Sequence, residues 1–344
     1  MKVLGVNMLE IFKCVICSNP LKYQDNDITC PSCKKVYPYK NSILDFSLLS
    51  DKTSTIEDEV KHTTKAFGWQ WKKSNMGHND GSKIYSKQLF LDRYGINEQD
   101  VASYVKDKVV YDPAVGSGRV EYIFAKYAKE IYAADLSDAV YEAKTNLKGK
   151  FDNINYFKAN LLSPPFKDNS FDTVICHAIL QHTGNTFEGI KSLTRVLKPD
   201  GILFFDVYRK AAPIRDFTDD FIRSLVCDLE PQNAWDKLLP ITQLAQDLYE
   251  KKITIDNDIK ELEIEAGEYN LQRFIYYKFL KTFWNENMSF EDNHMVVFDW
   301  FYPKISERYT VKEVEQWLSK LNLEVIKLHV LEGGIGVIAK KHEE

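Results

Sequence analysis

The sequence predicts an α/β fold built around a nucleotide-binding β-α-β unit, and three observations support this prediction. Two apolar runs each end in an acid, the first in Asp112 and the second in Asp135. Between them lies a turn that holds Gly116 and Gly118, followed by a helical pattern. A strand, a glycine turn, a helix and a second strand in this order are typical of the front half of such a unit. Glycine lets the backbone turn sharply there and approach a ligand closely.

The details of the turn indicate which ligand it suits. The fingerprint for a dinucleotide has a third glycine where this chain has Glu121, and the turn lacks the Gly-Lys-Ser/Thr of a phosphate loop. Asp135, at the end of the second strand, can accept hydrogen bonds from both hydroxyls of a ribose. An adenosyl ligand without a pyrophosphate therefore fits the turn better than a dinucleotide.

The remaining elements follow from the apolar periodicity along the chain. Strands and helices alternate up to about residue 208, a long insertion follows, and a final helix and two strands close the pattern. The predicted elements are strand 108–112, helix 117–128, strand 131–135, helix 137–147, strand 154–158, strand 171–176, helix 186–197, strand 201–208, helix 310–321, strand 323–331 and strand 334–340. Within the insertion, helical periodicity recurs around 217–229, 241–252 and 269–284, and the charged segments 217–230 and 256–268 are expected to be solvent-facing helices.

The glycine turn resembles the first motif of the class I S-adenosylmethionine-dependent methyltransferases of type 11. The motif covers residues 112–118, with Ala114 in place of its first glycine. The resemblance continues in order through Asn160-Leu161, Phe171-Asp172-Thr173-Val174-Ile175-Cys176, Leu180-Gln181-His182 and Arg195-Val196-Leu197-Lys198-Pro199-Asp200-Gly201. It implies a Rossmann-like core with a seven-stranded mixed sheet, and methyl transfer from S-adenosylmethionine.

The resemblance also implies a set of cofactor-binding residues. Asp112 would orient the first loop and approach the methionine ammonium, and the loop glycines would let the backbone reach the methionine part. Asp135 would bind the ribose, Leu136 would pack on adenine and Asn160 would lie near the adenine amino group. For Asn160, a loop residue without ligand contact is the alternative. The full set is Asp112, Ala114, Gly116, Gly118, Asp135, Leu136, Asn160, Leu161 and Trp71.

Three side chains are candidates for acid–base chemistry: His177, His182 and Asp299. The two histidines bracket the segment after the fourth strand, which faces the acceptor, and histidine can take a proton near neutral pH. His182 stands where the family residue is often structural, so a structural role is its alternative. Asp299 lies in a stretch that resembles the Asp-Trp-aromatic-x-Pro element of ribbon-fused methyltransferases. It is either a base or substrate anchor, or a solvated acid. Arg308 or His294 could pair with an acidic substrate.

Four clustered cysteines predict a structural zinc site. They form two Cys-x-x-Cys pairs, Cys14 with Cys17 and Cys30 with Cys33. Four thiolates can surround Zn²⁺ tetrahedrally at about 2.3 Å and leave no open position for catalytic water. A ribbon that folds without metal, or a redox pair, is the alternative. The flanking residues resemble the Trm112-like zinc ribbon, related to the small activator subunit of several methyltransferases, which stabilises its partner or contacts substrate.

The chain divides into four expected parts: a zinc ribbon (1–50), a linker and N-terminal helical segment that covers the cofactor (51–84), the core (85–208 and 310–344) and a mainly helical insertion (209–309). Aromatic residues at 67, 69 and 71 either cover the cofactor with the rest of that segment or pack the junction between ribbon and core. The insertion leaves from the carboxyl edge of the sheet, where ligands bind in open α/β sheets. It is expected to be a lid over the acceptor, with an oligomerisation element as the alternative.

Composition limits the partners. The net charge is −5, which argues against broad, non-specific binding to nucleic acid or to anionic membranes. Apolar runs shorter than a membrane span, and an N-terminus unlike a signal peptide, predict a cytoplasmic protein. We therefore expect a methyltransferase for a small molecule or a sugar, lipid or natural-product precursor. An RNA methyltransferase that uses the ribbon for RNA contact, a non-catalytic scaffold and transfer of another group are the alternatives. The acceptor atom and the oligomeric state stay open.

Overall fold

A computed structural model describes residues 6–24, 27–47, 55–73, 78–210 and 212–342 of the 344-residue chain. The expected linker at 51–54 and small parts of the expected ribbon, N-terminal segment and insertion lie outside the described residues. Within these ranges, no helix is both long enough and apolar enough to cross a membrane.

The described strands are short in the cysteine-rich segment and longer in the core. In chain order they are β1 (Lys22–Gln24), β2 (Asp27–Thr29), β3 (Val36–Tyr37), β4 (Tyr39–Lys40), β5 (Ile43–Asp45), β6 (Val109–Asp112), β7 (Glu130–Asp135), β8 (Ile154–Lys158), β9 (Phe171–Cys176), β10 (Leu197–Arg209), β11 (Lys252–Ile255), β12 (Gly267–Asn270), β13 (Arg308–Tyr309), β14 (Leu323–Leu331) and β15 (Gly334–Lys341).

The described helices lie before the core, between its strands and in the insertion. In chain order they are α1 (Thr55–Lys73), α2 (Asp80–Tyr94), α3 (Glu98–Val105), α4 (Glu121–Phe124), α5 (Ala139–Leu147), α6 (Thr186–Val196), α7 (Pro213–Val226), α8 (Pro231–Leu248), α9 (Leu271–Lys278), α10 (Phe290–Phe301) and α11 (Val311–Lys320). Local chemistry fixes where several helices begin. Asn97 and Thr310 form capping boxes at the N-termini of α3 and α11, and proline is the first residue of α7 and α8.

A ten-stranded mixed sheet forms the centre, in the order β14-β15-β10-β9-β6-β7-β8-β5-β4, with β13 beside β10. The seven strands from β14 to β8 are the mixed sheet that the sequence predicts, which confirms the fold class. Strands β6 to β10 pair in parallel, whereas β15 pairs antiparallel with both β10 and β14. Parallel strands bring their carboxyl ends to one edge, so Asp112 and Asp135 meet there.

The first core helix is shorter than predicted. Only Glu121–Phe124 of the expected 117–128 is helical. Gly118 has a φ of +86°, which a right-handed helix does not allow, so the turn continues past it. The expected helix at 256–268 is wrong, because most of this segment forms the turn of the β11–β12 hairpin.

The cysteine-rich segment is built into the edge of the central sheet. Strand β5 adds to β8 in parallel, and the Phe46 backbone amide donates to the Lys158 carbonyl at 2.8 Å. Phe12 stacks on Phe166 and on Phe46, at 5.0 and 5.1 Å between ring centroids. The ribbon therefore shares one hydrophobic core with the sheet.

The insertion covers the carboxyl edge of the sheet together with α1. Helices α7 to α10 bury a cluster of large apolar side chains that also includes Trp71 of α1 and Tyr208 of β10. The expectation that 217–230 faces solvent is wrong for one side of α7, where Asp219 is 0% and Arg223 is 7% exposed. Arg223 is buried because its guanidinium donates to backbone carbonyls of residues 300, 303 and 304.

Candidate active site

A cavity of about 440 Å³ lies at the carboxyl ends of β6 to β9 and is also lined by α1 and α10. Ten of the twelve cofactor and catalytic residues that the sequence proposes line it: Trp71, Ala114, Gly116, Asp135, Leu136, Asn160, Leu161, His177, His182 and Asp299. Asp112 and Gly118 are not among the lining residues. The volume is in the range of small-molecule sites in proteins.

Asp135 holds the glycine loop in place while its carboxylate lines the cavity. Its Oδ2 accepts from the Gly116 amide at 3.0 Å, and its Oδ1 accepts from the Ser137 amide and hydroxyl at 2.8 and 2.7 Å. Gly116 has a φ of +54°, and a Cβ there would lie 3.4 Å from the Trp71 ring. The positive φ favours glycine at this position, and the loop backbone here lies in van der Waals contact with the Trp71 ring.

The positions of Asp112 and Gly118 correct their expected ligand contacts. Asp112 is 4% exposed, and its Oδ1 accepts from the Ala114 amide at 2.8 Å, so it orients the loop from behind. Burial raises the pKa of Asp112 to about 6, and the same burial, with Asp112 beside it, raises the pKa of Glu121 well above its usual value. A Cβ on Gly118 would lie 2.7 Å from Leu147, so this glycine lets the loop pack on α5.

The expected adenine side of the cavity is formed by the segments after β7 and β8. Leu136, Asn160 and Leu161 line it together with Ala159. The Asn160 side-chain oxygen already accepts from the Leu162 amide at 2.9 Å and so closes its own turn. This bond favours a loop-shaping role for Asn160. Ligand contact is then limited to the side-chain atoms that the turn does not engage.

One face of α1 lines the cavity, and sequence analysis found only its last part. The lining residues recur at helical spacing: Glu57, Val60, Lys61, Thr64, Phe67 and Trp71. This spacing is the signal that could have identified the face. Trp69 points to the insertion, with ring centroids 5.0 Å from Phe298 and 5.8 Å from Trp235. The idea that these aromatic residues pack the junction with the ribbon is therefore wrong.

A carboxylate that sequence analysis missed lies behind His177. Asp206 is 0% exposed, and its Oδ1 lies 3.0 Å from His177 Nδ1. The same oxygen accepts from the Ala178 amide at 2.7 Å, which holds Ala178 at a φ of +59°. Burial alone raises the pKa of Asp206, but His177 and Arg93 lower it to about 2. An acid inside the apolar strand β10 is the sequence signal for this position.

His182 is almost fully buried in the cavity wall, at 4% exposure. Its Nδ1 lies 2.6 Å from the Ile305 carbonyl and its Nε2 lies 3.4 Å from the Tyr208 hydroxyl. The carbonyl can only accept, so Nδ1 carries the proton and Nε2 is the acceptor. Burial lowers the pKa of His182, which keeps the ring neutral.

Asp299 reaches the cavity from α10 and is held by α1. Gln70 Nε2 donates to Asp299 Oδ1 at 2.7 Å. The two residues expected to pair with an acidic substrate are engaged elsewhere. His294 is 0% exposed and bound to Thr242, and Arg308 forms two hydrogen bonds to Asp220. The structure thus corrects the expectation for both.

The four cysteine thiols converge away from the cavity. Their Sγ atoms all lie within 4.8 Å of one another, with Cys14–Cys33 at 3.5 Å and Cys17–Cys30 at 3.4 Å. Sulfurs around a tetrahedral zinc at about 2.3 Å lie about 3.8 Å apart, so the cluster is compatible with zinc. The Tyr37 hydroxyl lies 3.0 Å from Cys14 Sγ and accepts from the Val15 amide at 3.1 Å. It thus supports the site from outside.

Comparison with known proteins adds to this geometry. The family described as methyltransferase domain matches residues 111–205. The ubiquinone/menaquinone biosynthesis C-methyltransferase UbiE of Haemophilus ducreyi is 30% identical over 189 residues, which cover 49% of this chain and 71% of that protein. An uncharacterized methyltransferase of Bacillus subtilis, YcgJ, is 27% identical over 161 residues, which cover 43% of this chain and 62% of that protein.

Among solved structures, a SAM-dependent methyltransferase from Methanosarcina mazei covers 71% of this chain and 98% of its own, at 18% identity and a TM-score of 0.40. The residues matched by the domain family include the glycine loop, Asp135 and both cavity histidines. The match to the Haemophilus protein, supported by the domain family and the seven-stranded core, leads to one conclusion. The chain belongs to the S-adenosylmethionine-dependent methyltransferases and is an enzyme of that class.

Proposed function

We propose that this enzyme methylates a small organic molecule that binds in the cavity between the glycine loop and the insertion. The observation that carries the proposal is the roof of the cavity, where Phe67 and Trp71 of α1 and Asp299 of α10 line the same space as the loop. An acceptor in such an enclosed site is small enough to be surrounded. Relatives such as UbiE are named C-methyltransferases, so carbon is the first acceptor atom to test.

The residues of the cavity fit the cofactor by their chemistry. The Asp135 carboxylate would bind the ribose hydroxyls, the Gly116 loop would hold the methionine part, and Leu136 and Leu161 would pack on the adenine. Asp112 would contribute to cofactor binding indirectly, by holding the glycine loop in its conformation. Bound S-adenosylmethionine supplies a methyl group that is already activated by its sulfonium. The chain therefore has to align the acceptor and exclude water.

We propose that His177 is the general base and that Asp206 is a positioning residue. A proton on Nδ1 that is donated to Asp206 leaves Nε2 as the acceptor for a proton of the methyl acceptor. His182 has no ring nitrogen free to accept a proton from the methyl acceptor, since both of its nitrogens contact protein groups. We propose that His182 and Tyr208 shape the wall, and that Asp299 anchors the acceptor.

We propose one structural Zn²⁺ bound by Cys14, Cys17, Cys30 and Cys33. The short distances between their Sγ atoms support this, and four thiolates leave no position for a reacting water. Zinc would fix the ribbon strands against strand β8. The cytoplasmic location stays a prediction.

We further propose that residues 209–309 act as a lid on the acceptor side of the cavity. The other parts of the proposed domain division are the ribbon at 1–50, the N-terminal segment at 51–84 and the core at 85–208 and 310–344. The large apolar cluster shared by α1 and the insertion supports a lid that is closed in this structure. Its place over the carboxyl edge of the sheet supports contact with the acceptor.

Transfer of labelled methyl from S-adenosylmethionine into a fractionated extract of the source cell tests the proposal. We expect label in the small-molecule or lipid fraction, and none there with the Asp135→Ala variant. Label in RNA would overturn the small-molecule proposal in favour of an RNA methyltransferase. Confirmed cofactor binding without label in any fraction would favour a scaffold or the transfer of another group.

A further inference from the structure

A buried arginine of α2 faces the carboxylate that lies behind His177. Arg93 Nε lies 3.6 Å from Asp206 Oδ2, and the side chains of these two residues are 13% and 0% exposed. The other carboxylate oxygen, Asp206 Oδ1, lies 3.0 Å from His177 Nδ1. Asp206 therefore lies between a cation and a side chain that lines the cavity. We call Arg93, Asp206 and His177 the buried triad.

Strand β15 leaves space for Arg93 by placing two glycines next to it. A Cβ on Gly334 would lie 1.2 Å from Arg93 Nη1, and a Cβ on Gly336 would lie 2.0 Å from the Arg93 carbonyl oxygen. Gly336 is also the residue that pairs with Asp206 across the sheet. A side chain at either position would overlap Arg93, so the two glycines allow α2 to bring this cation to the carboxylate.

The charge of Asp206 explains why a cation lies there. Burial raises the pKa of Asp206, but His177 and Arg93 lower it to about 2, so its side chain is a carboxylate near neutral pH. Within the ranges that the structure describes, Arg93 has no other carboxylate oxygen within 4.0 Å. A buried carboxylate needs a partner, and a guanidinium provides one that is always charged.

The presence of this partner bears on the protonation of His177. A buried carboxylate without another counter-charge favours a doubly protonated imidazolium beside it, and an imidazolium has no nitrogen free to accept a proton. Arg93 already balances the charge of Asp206. His177 can then stay neutral, donate its Nδ1 proton to Asp206 and keep Nε2 as the acceptor.

The other titratable groups around His177 do not replace Arg93. Tyr94 of α2 donates to Asp206 Oδ1 at 3.3 Å and lies 3.5 Å from His177 Nδ1. Burial raises the pKa of Tyr94, and that of Cys176 at the end of β9, well above their usual values, so both are neutral. Among the described residues, no carboxylate except Asp206 lies within 4.0 Å of the His177 ring nitrogens. The other titratable residues that line the cavity are Glu57, Lys61, Arg119, Asp135, His182 and Asp299.

We infer that Arg93 is a positioning residue for methyl transfer, which balances the charge of Asp206 and so leaves His177 neutral and able to accept a proton from the methyl acceptor. The inference rests on the proposed function and adds to its base a residue that lies outside the cavity lining. The proton of the acceptor moves to His177 Nε2, and the electron pair that held it stays on the acceptor atom for the new bond to the methyl group.

Titration of the histidine rings by ¹⁵N NMR, in the full chain labelled on histidine, tests the inference without a known acceptor. The His177→Gln variant identifies the signal of His177 by its loss. In Arg93→Met, we expect the midpoint of the His177 titration to rise by at least about one pH unit, because the carboxylate has lost its other counter-charge. Arg93→Lys keeps the charge and should stay within about half a pH unit of the wild type.

Gly334→Ala displaces Arg93 without removing it, because the added Cβ overlaps the guanidinium. It should raise the same midpoint and keeps the test open if Arg93→Met does not fold. Lys87→Met is the matched control, since Lys87 is exposed on the same helix and pairs with Glu98. This control should leave the midpoint as in the wild type. Binding of S-adenosylmethionine as in the wild type identifies the folded variants.

The rate of methyl transfer into the small-molecule fraction is the second readout. On the acidic side of its pH profile, Arg93→Met should lower the rate about tenfold and recover at higher pH, whereas a merely structural defect lowers the rate at every pH. Unchanged midpoints in folded Arg93→Met and Gly334→Ala, or an unchanged rate profile, would overturn the inference and leave the proposed function standing. No methyl transfer to small molecules by the wild type would refute the proposed function itself.

Discussion

Gln70 Nε2 donates to Asp299 Oδ1 at 2.7 Å, although the two residues are 229 positions apart. Gln70 is 0% exposed on α1, and Asp299 lies on α10 of the insertion. The bond joins the segment before the core to the segment inserted into it, directly at the wall of the cavity. It is therefore the contact that we expect to couple closure of the insertion to the site.

Removal of this bond should affect turnover more than cofactor binding. Gln70→Met keeps the length of the side chain but leaves the Asp299 carboxylate without its donor, which should cost about 1–3 kcal/mol of stability. Acceptor turnover should fall, and the double variant with Asp299→Asn should lose less than the sum of the single variants. Urea unfolding and methyl-transfer assays measure this, with the exposed Gln243→Met as control. Additive losses would show that the two residues are not coupled.

Asp135→Ala should raise the dissociation constant of S-adenosylmethionine about 100-fold or more, because two ribose hydrogen bonds and the bond to the Gly116 amide are lost. Isothermal titration calorimetry measures this. Asp138→Ala is the control, since this nearby acid is half exposed and pairs with Lys72 and Lys158. The control should stay within about threefold of the wild type. Unchanged binding by Asp135→Ala would contradict the ribose assignment.

Asp206→Asn should impair the positioning of His177 without impairing the binding of S-adenosylmethionine. The amide that replaces the carboxylate can donate to His177 Nδ1, so the proton is no longer fixed on Nδ1 and kcat should fall about 10- to 100-fold. The KM for S-adenosylmethionine should change little, because Asp206 lies outside the cavity lining. Asp200→Asn, an exposed change on the same strand, is the control. Equal loss of cofactor affinity and kcat would indicate a purely structural role for Asp206.

The buried pair of Asp112 and Glu121 should make stability fall as the pH rises. Burial raises the pKa of Asp112 to about 6, and that of Glu121 is raised further above its usual value. The folded chain thus binds more protons than the unfolded chain above about pH 4, so the free energy of unfolding decreases through pH 6 and beyond. Glu121→Gln should make this decrease in the free energy of unfolding smaller, because one of the two raised pKa values is removed.

Urea unfolding between about pH 4.5 and 8 measures the slope. Glu315→Gln, an exposed change on α11, should leave it as in the wild type. A Glu121→Gln variant with an unchanged slope would mean that the raised pKa of Glu121 does not contribute to the pH dependence of stability.

Tyr37→Phe should weaken the metal site without removing a ligand. Its hydroxyl contacts Cys14 Sγ, and loss of such an outer contact typically lowers metal affinity about 10- to 100-fold. Competition with a coloured zinc chelator measures this, after elemental analysis has established about one zinc per chain. Tyr39→Phe, an exposed tyrosine of the same ribbon, is the control. Zinc well below one equivalent in fresh wild-type protein would refute the structural metal.

Local sequence patterns determined the strands of the core, and the family resemblance indicated part of the cavity wall. The glycine turn, the acid that ends β7 and the alternation of apolar runs each act over a few residues, and together they predicted the seven-stranded sheet. The resemblance to the methyltransferase family, together with these patterns, indicated ten of the residues that line the cavity. The two Cys-x-x-Cys pairs are equally local, since each spacing fixes two thiols on one turn.

The tertiary structure decided what depends on distant elements. Addition of β5 to β8, the place of Asp206 behind His177 and the bond from Gln70 to Asp299 each join segments that no local pattern relates. The charges of α7 follow the same principle, because burial of Arg215 and Asp219 depends on what α9 and α10 pack against them. Periodicity specifies backbone conformation within one element, whereas burial and ion pairing are set by side chains that meet only when the elements pack.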